Sequence, residues 1–366
     1  MSEDTARQAA PAARPPARSA TAGQPLTGAA ARRPGGGLRG LASRRPVLAF
    51  LVRRVSAGIG TLLVVSVLIY GAVQVLPGDV AAIVLGRTAT PARVAALRVS
   101  LHLDRPVPER FLAWLTGMLT GHLGDSTAAL AQGTTLPVWL DIRGPLGNSM
   151  VLAGVTMALF IPLCLILGTW AALRAGRVSD HVISLSALSF SALPEFLVGT
   201  LLIVVFFTEL NLLPPIASIS PGQTPFTHPA NLVLPVATLL GISTAFGTRL
   251  LRASVVEVLG EDYVAMARLN GLRERRVIWR YALRNALGPS IQVIAQMIQY
   301  LVGGIIITES VFNYPGIGTK LVQAVLVRDP QEVSVIAAIL AAFYILVNIL
   351  ADLAVVLVVP RLRTRL

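Results

Sequence analysis

The chain has 366 residues, 54% of them hydrophobic and only 13% charged, with a mean hydropathy of +0.70. Soluble domains carry about 25% charged residues, so the polar surface here cannot cover a globule of this size, and most of the chain must face lipid. The net charge of +13 would suit nucleic acid, but the basic residues sit in a tail and in loops between apolar runs, which excludes a nucleic-acid groove.

Residues 1–46, as in ARRPGGGLRGLASRRP, hold too few large apolar side chains to bury a core and are expected to form a disordered basic tail. The apolar run that follows is too long for a signal-peptide core and has no small-residue cleavage site. The arginine pairs at 44–45 and 53–54 read as a cytoplasmic anchor.

Six long apolar segments come next, at roughly 55–76, 148–173, 182–208, 231–248, 290–308 and 334–359. Each is near or above the ~20 residues that a helix needs to cross hydrocarbon, and the fourth is the weakest. Pro162, Pro194 and Pro235 fall inside spans, which membrane helices tolerate when neighbours satisfy the freed carbonyls. The expected fold is all-α: a polytopic membrane protein with six transmembrane helices. Of the 31 Lys and Arg residues, 23 lie in the two terminal regions, the 174–181 turn and the 249–288 segment, against eight in 78–145 and 309–333. This asymmetry places both termini in the cytoplasm and the 78–145 loop outside it. Within that loop, Thr90-Pro91 reads as an N-cap followed by proline at the first helical position, and a second helix is expected from about Pro108.

Several chemistries are missing. The only lysine, Lys320, follows Thr319, so no phosphate-binding Gly-Lys-Ser/Thr loop exists, and a G-x-S-x-G nucleophile elbow is also absent. Cys164 is a lone thiol in an apolar run, and the four histidines lack metal-ligand spacing, so no catalytic or metal site is expected.

The segment from Glu257 to Ser290 holds ten charged residues between two apolar spans. One helix is expected from Glu257 to Asn270, closed by Gly271, and a second from about Glu274 to Leu287, stopped by Gly288-Pro289. Arg273, Arg276, Arg280 and Arg284 recur at three- and four-residue spacing and form a cationic stripe. Such a helical hairpin suits docking to a cytoplasmic partner, or anchoring on anionic lipid; spacing alone leaves both open.

The run DYVAMARLNGLRERRVIWRYALRNALGPS resembles the coupling loop of ABC-transporter permeases of the binding-protein-dependent peptide/nickel class. VLPGDVA (75–81), the 89–126 stretch, ALPEFLVGTLL (192–202), ESVFNYPGIGTKLVQAVLVRD (309–329) and the 347–363 end agree in order, so the resemblance spans about 47–366. LPGD and the long first outer loop resemble the first permease subunit of the pair.

The resemblance implies an ATP-driven importer of peptides or related small solutes, working by alternating access in the cytoplasmic membrane of a prokaryote. Its implied partners are a second permease, two ATPase domains and an extracytoplasmic solute-binding protein. ATP and Mg would sit on the ATPases, with no cofactor on this chain. Ala267 and Gly271 match the family's Ala-x-x-x-Gly element, which seats on the ATPase. Glu257, Asp262, Tyr263, Leu272, Arg275, Arg276, Arg280 and Arg284 flank that element as coupling candidates. Ala265 stands where the broader pattern often has Glu, and the tail departs from the family. Glu195, midway into the third span, is a candidate for the solute path together with Phe196 and Glu309; a hydrogen-bonding partner across helices is the other reading of Glu195. Asp352 is expected to be structural. A secondary transporter or channel would need paired inverted repeats or discontinuous helices with charges at the midplane, and no clear repeat is present.

Overall fold

The computed structural model describes residues 46–74, 79–220 and 222–358. The expected tail up to residue 45, residues 75–78 of the VLPGDVA motif and the PRLR end lie outside the described residues. Among those described, every regular element is helical apart from one isolated bridge between Asp125 and Pro137.

The first span is α1 (Pro46–Gln74), and the last long helix, α14 (Pro330–Val358), packs along it. Gly58 permits the close approach, since a Cβ there would stand 3.0 Å from both Ile345 and Ile349. Small residues serve membrane helices this way because lipid supplies no hydrophobic drive between them. Arg54 and Asp352 form an ion pair across the same contact, which gives Asp352 the structural role expected of it.

The short helices α2 (Val80–Leu85), α3 (Pro91–Ser100), α4 (Val107–Thr120) and α5 (Thr127–Ala131) fold between the first two spans. Thr90 caps α3 as its sequence predicts, with its hydroxyl accepting from the Arg93 amide at 3.3 Å. On α4, Phe111, Trp114, Leu115 and Met118 pack together against Tyr70 of α1, whereas Leu112 and Leu119, which the helical spacing groups with Phe111, Leu115 and Met118, are exposed.

Helix α6 (Val138–Leu173) starts ten residues earlier than the 148 expected, so the 78–145 loop ends in the first turns of a span. It crosses α9 (Ala230–Leu259) at two glycines. A Cβ on Gly168 would lie 2.8 Å from Leu251, and one on Gly247 2.8 Å from Phe160. The expected fourth span, 231–248, is therefore a correction: it is a 30-residue helix that continues well past residue 248. Its apolar run is weak because it is the most enclosed span, 61% buried within its window, and it turns Ser243, Thr244 and Thr248 onto neighbouring helices.

The third span is broken. Helix α7 (Val178–Ser191) and helix α8 (Glu195–Ile203, continued by a π turn over 204–209) meet at an angle of 100°. Pro194 explains the break, because proline removes a backbone donor and biases the preceding residue away from helix. Five unbroken helices are long and apolar enough to cross a membrane, six if this bent pair counts as one span. Helix α12 (Leu283–Val311) carries the fifth expected span, and the amphipathic α13 (Ile317–Leu326) links it to α14.

Candidate functional site

The charged segment forms a hairpin where α9 leaves the bundle and α12 enters it. Helix α9 stops at Leu259, and α10 (Asp262–Leu269) begins after Gly260 and an extended Glu261. The single helix expected over 257–270 is thus two. The reason is packing: the bend lets Val264 and Ala267 close on Val277 and Ala282, with Val258 and Leu259 against them.

Gly271 has φ +74, the left-handed conformation its position predicts. Its amide donates to the Arg268 carbonyl at 2.9 Å and the Leu272 amide to the Ala267 carbonyl at 3.3 Å, the paired bonds of a Schellman turn. The return strand of the hairpin starts as α11 (Glu274–Arg276), passes through a π turn over Val277–Ala282 and runs on into α12. The expected stop at Gly288-Pro289 is a correction, because the helix passes through both residues. Membrane helices tolerate a proline where neighbouring groups satisfy the carbonyl it frees. The π turn is one extra residue per turn, a device that often marks functional sites.

Arg268 closes the hairpin by donating to Glu274, with Nη2 2.9 Å from Oε1. That hydrogen bond holds the Arg268 pKa above its ordinary value. Both side chains are well exposed, so the pair contributes no more than about 1 kcal/mol.

The sequence candidates separate into two groups here. Glu257, Asp262, Arg275, Arg276, Arg280 and Arg284 are exposed, with Tyr263 and Leu272 half-buried beside them. Ala267 is only 4% exposed and fills the hairpin's own core. The side chains that α10 turns outward are Met266 and Leu269, the latter 80% exposed. These two were missed, although large apolar residues three apart on a charged helix are a readable docking signal.

Two further residues were missed because their partners lie far away in sequence. Asp180, at the start of α7, is buried and takes a bidentate pair of bonds from Arg252 of α9, at 2.5 and 2.7 Å. The Gly176 amide donates to the same carboxylate at 2.9 Å. Arg249, one turn earlier on α9, donates to Ser191 at the other end of α7 at 3.2 Å. The helix leading into the hairpin therefore holds both ends of α7.

At the far side of the break, Glu195 opens α8 and is 8% exposed. A carboxylate suits the first turn because the helix dipole is positive there. Gly304 of α12 lies directly against its carboxyl group, where any Cβ would collide. Phe196 points outward and is exposed.

Glu309 sits elsewhere, in a closed knot. It is fully buried, accepts from Ser149 of α6, and takes the amides of Gly318 and Thr319 at 2.7 and 3.2 Å. These bonds fix the first turn of α13 to α6 and α12. Lys320 on α13 adds contacts to Asp141 at 2.7 Å and Glu332 at 3.1 Å. Burial opposes the Lys320 charge, but the two carboxylates outweigh it and raise its pKa. Among the described residues, no group of His, Cys, Asp and Glu side chains could hold a metal ion.

Five long apolar helices and one broken pair, with a charged hairpin carried between two of them, form the architecture of a polytopic membrane protein. The chain belongs to the family described as binding-protein-dependent transport system inner membrane component, which matches residues 164–364, and the N-terminal component of the same system matches residues 47–133. It is 35% identical over 318 residues to the probable peptide ABC transporter permease protein y4tP of Sinorhizobium fredii, covering 86% of this chain and 99% of the relative. The glutathione transport system permease protein GsiC of Pectobacterium atrosepticum is 33% identical over 317 residues, with 87% and 99% covered. The dipeptide transport system permease protein DppB of Escherichia coli is 32% identical over 341 residues, again with 87% and 99% covered.

Proposed function

We propose that this chain is the first permease subunit of an ATP-driven importer that moves peptides or related small solutes across the cytoplasmic membrane of a prokaryote. The observation that carries this reading is the hairpin, a self-packed unit that exposes Met266 and Leu269 among arginines and continues without a loop into α12. Such a surface suits an ATPase groove on the cytoplasmic side. The names of the relatives support a peptide as the solute.

In this reading the chain works with a second permease, two ATPase domains and an extracytoplasmic binding protein, and ATP and Mg are held by the ATPases. Closure of the ATPases displaces the hairpin. Arg252 and Arg249 then carry α7 along with α9, and the break at 192–194 lets α8 respond differently from α7. Glu195 and Phe196 stand at that break and would meet the solute path or its wall. Movement of packed rigid elements between two arrangements is the usual form of such switching. Glu309 serves instead as the anchor of α13.

The test is reconstitution of the complex in vesicles with its ATPases and binding protein. Uptake of labelled dipeptide that requires ATP supports the reading. Uptake by this chain without ATPases contradicts it.

A further inference from the structure

A cavity of about 410 Å³ lies at the end of the bundle away from the hairpin, where α1 ends and α14 begins. Tyr70 of α1 and Arg110, Glu109 and Trp114 of α4 line it, together with Arg105 and Asp125 from the flanking loops. Four charged side chains around one cavity, with His102 and His122 beside them, are unusual in a chain so poor in charge.

Two of them have unmet needs. Among the described residues neither Arg105 nor Arg110 forms an ion pair. Arg110 is nevertheless half-buried, and its Nε has no hydrogen-bond partner. The Trp114 indole N–H, on a residue only 8% exposed, is also unpartnered. A partly desolvated guanidinium with no counter-charge is unfavourable, so the cavity has the character of an anion site. Glu109 and Asp125 line it too and pair with no cation there, which offers a second, opposite subsite.

Its place along the first span is also clear. Tyr70 belongs to the apolar stretch Ala49–Val73 and lies near its end. Tyr70, Phe111 and Trp114 pack with ring centroids 5.5 to 6.0 Å apart, the amphipathic aromatic grouping found at headgroup level. On its outer side α4 exposes Leu112 and Leu119, the latter 81% exposed, as a helix lying on acyl chains would.

We propose that this cavity binds the headgroup of a membrane phospholipid carrying a phosphate beside a primary ammonium, with the phosphate on Arg105 and Arg110 and the ammonium towards Glu109 and Asp125. Guanidinium groups match phosphate oxygens in geometry as well as charge. The assignment does not depend on the transport reading. A free zwitterion, such as a short peptide, shares this chemistry, and the experiment separates the two sources.

The full chain is placed in vesicles of phosphatidylethanolamine and phosphatidylglycerol with a trace of photoactivatable phosphatidylethanolamine. Labelling is mapped to peptides by mass spectrometry. The wild type should be labelled within 100–127, and the Arg105→Ala/Arg110→Ala variant should lose that labelling about tenfold. Arg93→Ala, at an exposed position on α3, should leave it unchanged, and Arg105→Lys/Arg110→Lys should keep most of it. Soluble glycerophosphoethanolamine should compete in the wild type, which decides the matter without any variant. Undiminished labelling of the double alanine variant, or no competition, overturns the site. Displacement of the lipid label by millimolar trialanine, with none by glycerophosphoethanolamine, reassigns it to free solute and overturns the lipid proposal.

Discussion

Replacing Gly271 with valine isolates the hairpin from everything else in the molecule. Residue 271 has φ +74, and a Cβ there would meet no atom within 4 Å. The perturbation is therefore backbone strain alone, with no steric clash to confuse it. Left-handed geometry costs an L-residue roughly 1–2 kcal/mol, and a β-branched side chain sits at the upper end. Relief comes by opening the turn, which sacrifices the bonds from residue 271 to Arg268 and from Leu272 to Ala267. A penalty of one or two kcal/mol lowers the closed-to-open ratio of the turn by a factor of about 5 to 30. Because the hairpin lies outside the spans, membrane insertion and expression should stay near wild type. Solute-stimulated ATP hydrolysis and uptake by the assembled complex should fall together, by up to that factor. Gly271→Asn should retain most activity, since asparagine tolerates this conformation, and alanine should fall between the two. If Gly271→Val retains full hydrolysis and uptake, or if asparagine is as damaging as valine, the conformational argument fails.

Further consequences are equally open to measurement. Asp180→Ala should lower stability in detergent by up to about 3 kcal/mol, since it strands Arg252, itself a third exposed; an unchanged melting temperature would contradict this. Gly247→Ala should cost about 1–3 kcal/mol by forcing Phe160 and Cys164 aside, and a neutral effect would mean that α6 and α9 are not closely packed at this crossing. Glu309→Ala should loosen α13, so that hydrogen exchange rises over 316–326 while the hairpin amides stay protected. Arg276→Glu/Arg280→Glu should weaken co-purification with the ATPase, most strongly at low salt where charge is least screened. A reporter fused after Ser126 should be active only outside the cytoplasm.

How much of this was legible in the sequence depended on whether the cause was local. The Thr90 cap and the left-handed Gly271 were readable because each depends on a few adjacent residues. The apolar face of α4 was readable only in part: Phe111, Leu115 and Met118 pack together, while Leu112 and Leu119 are exposed and Trp114 takes their place. The π turn over 277–282 was not readable, since it sits where the hairpin packs against α9, and neither was the passage of the helix through residues 288–289. The fourth span looked weak because hydropathy measures fitness for lipid, whereas this helix is mostly buried in protein. Asp180 and Arg252 lie 72 residues apart, so neither suggests the other without the fold. Glu195 and Glu309 were grouped as acidic residues near a path. Only the geometry separates a carboxylate at a helix break from one that pins a neighbouring helix.

The central claim is that the hairpin links this permease to ATP hydrolysis on separate subunits. It is tested most directly by ATP-dependent uptake of a labelled dipeptide into vesicles holding the complete complex, with Leu269→Asp as the disrupted hairpin. That side chain is exposed, so the substitution spares the fold while placing a charge in the contact. Uptake should need both ATP and the ATPases and should be lost in Leu269→Asp while the permease remains folded in the membrane. Full uptake by Leu269→Asp, or uptake that persists without the ATPases, would contradict it.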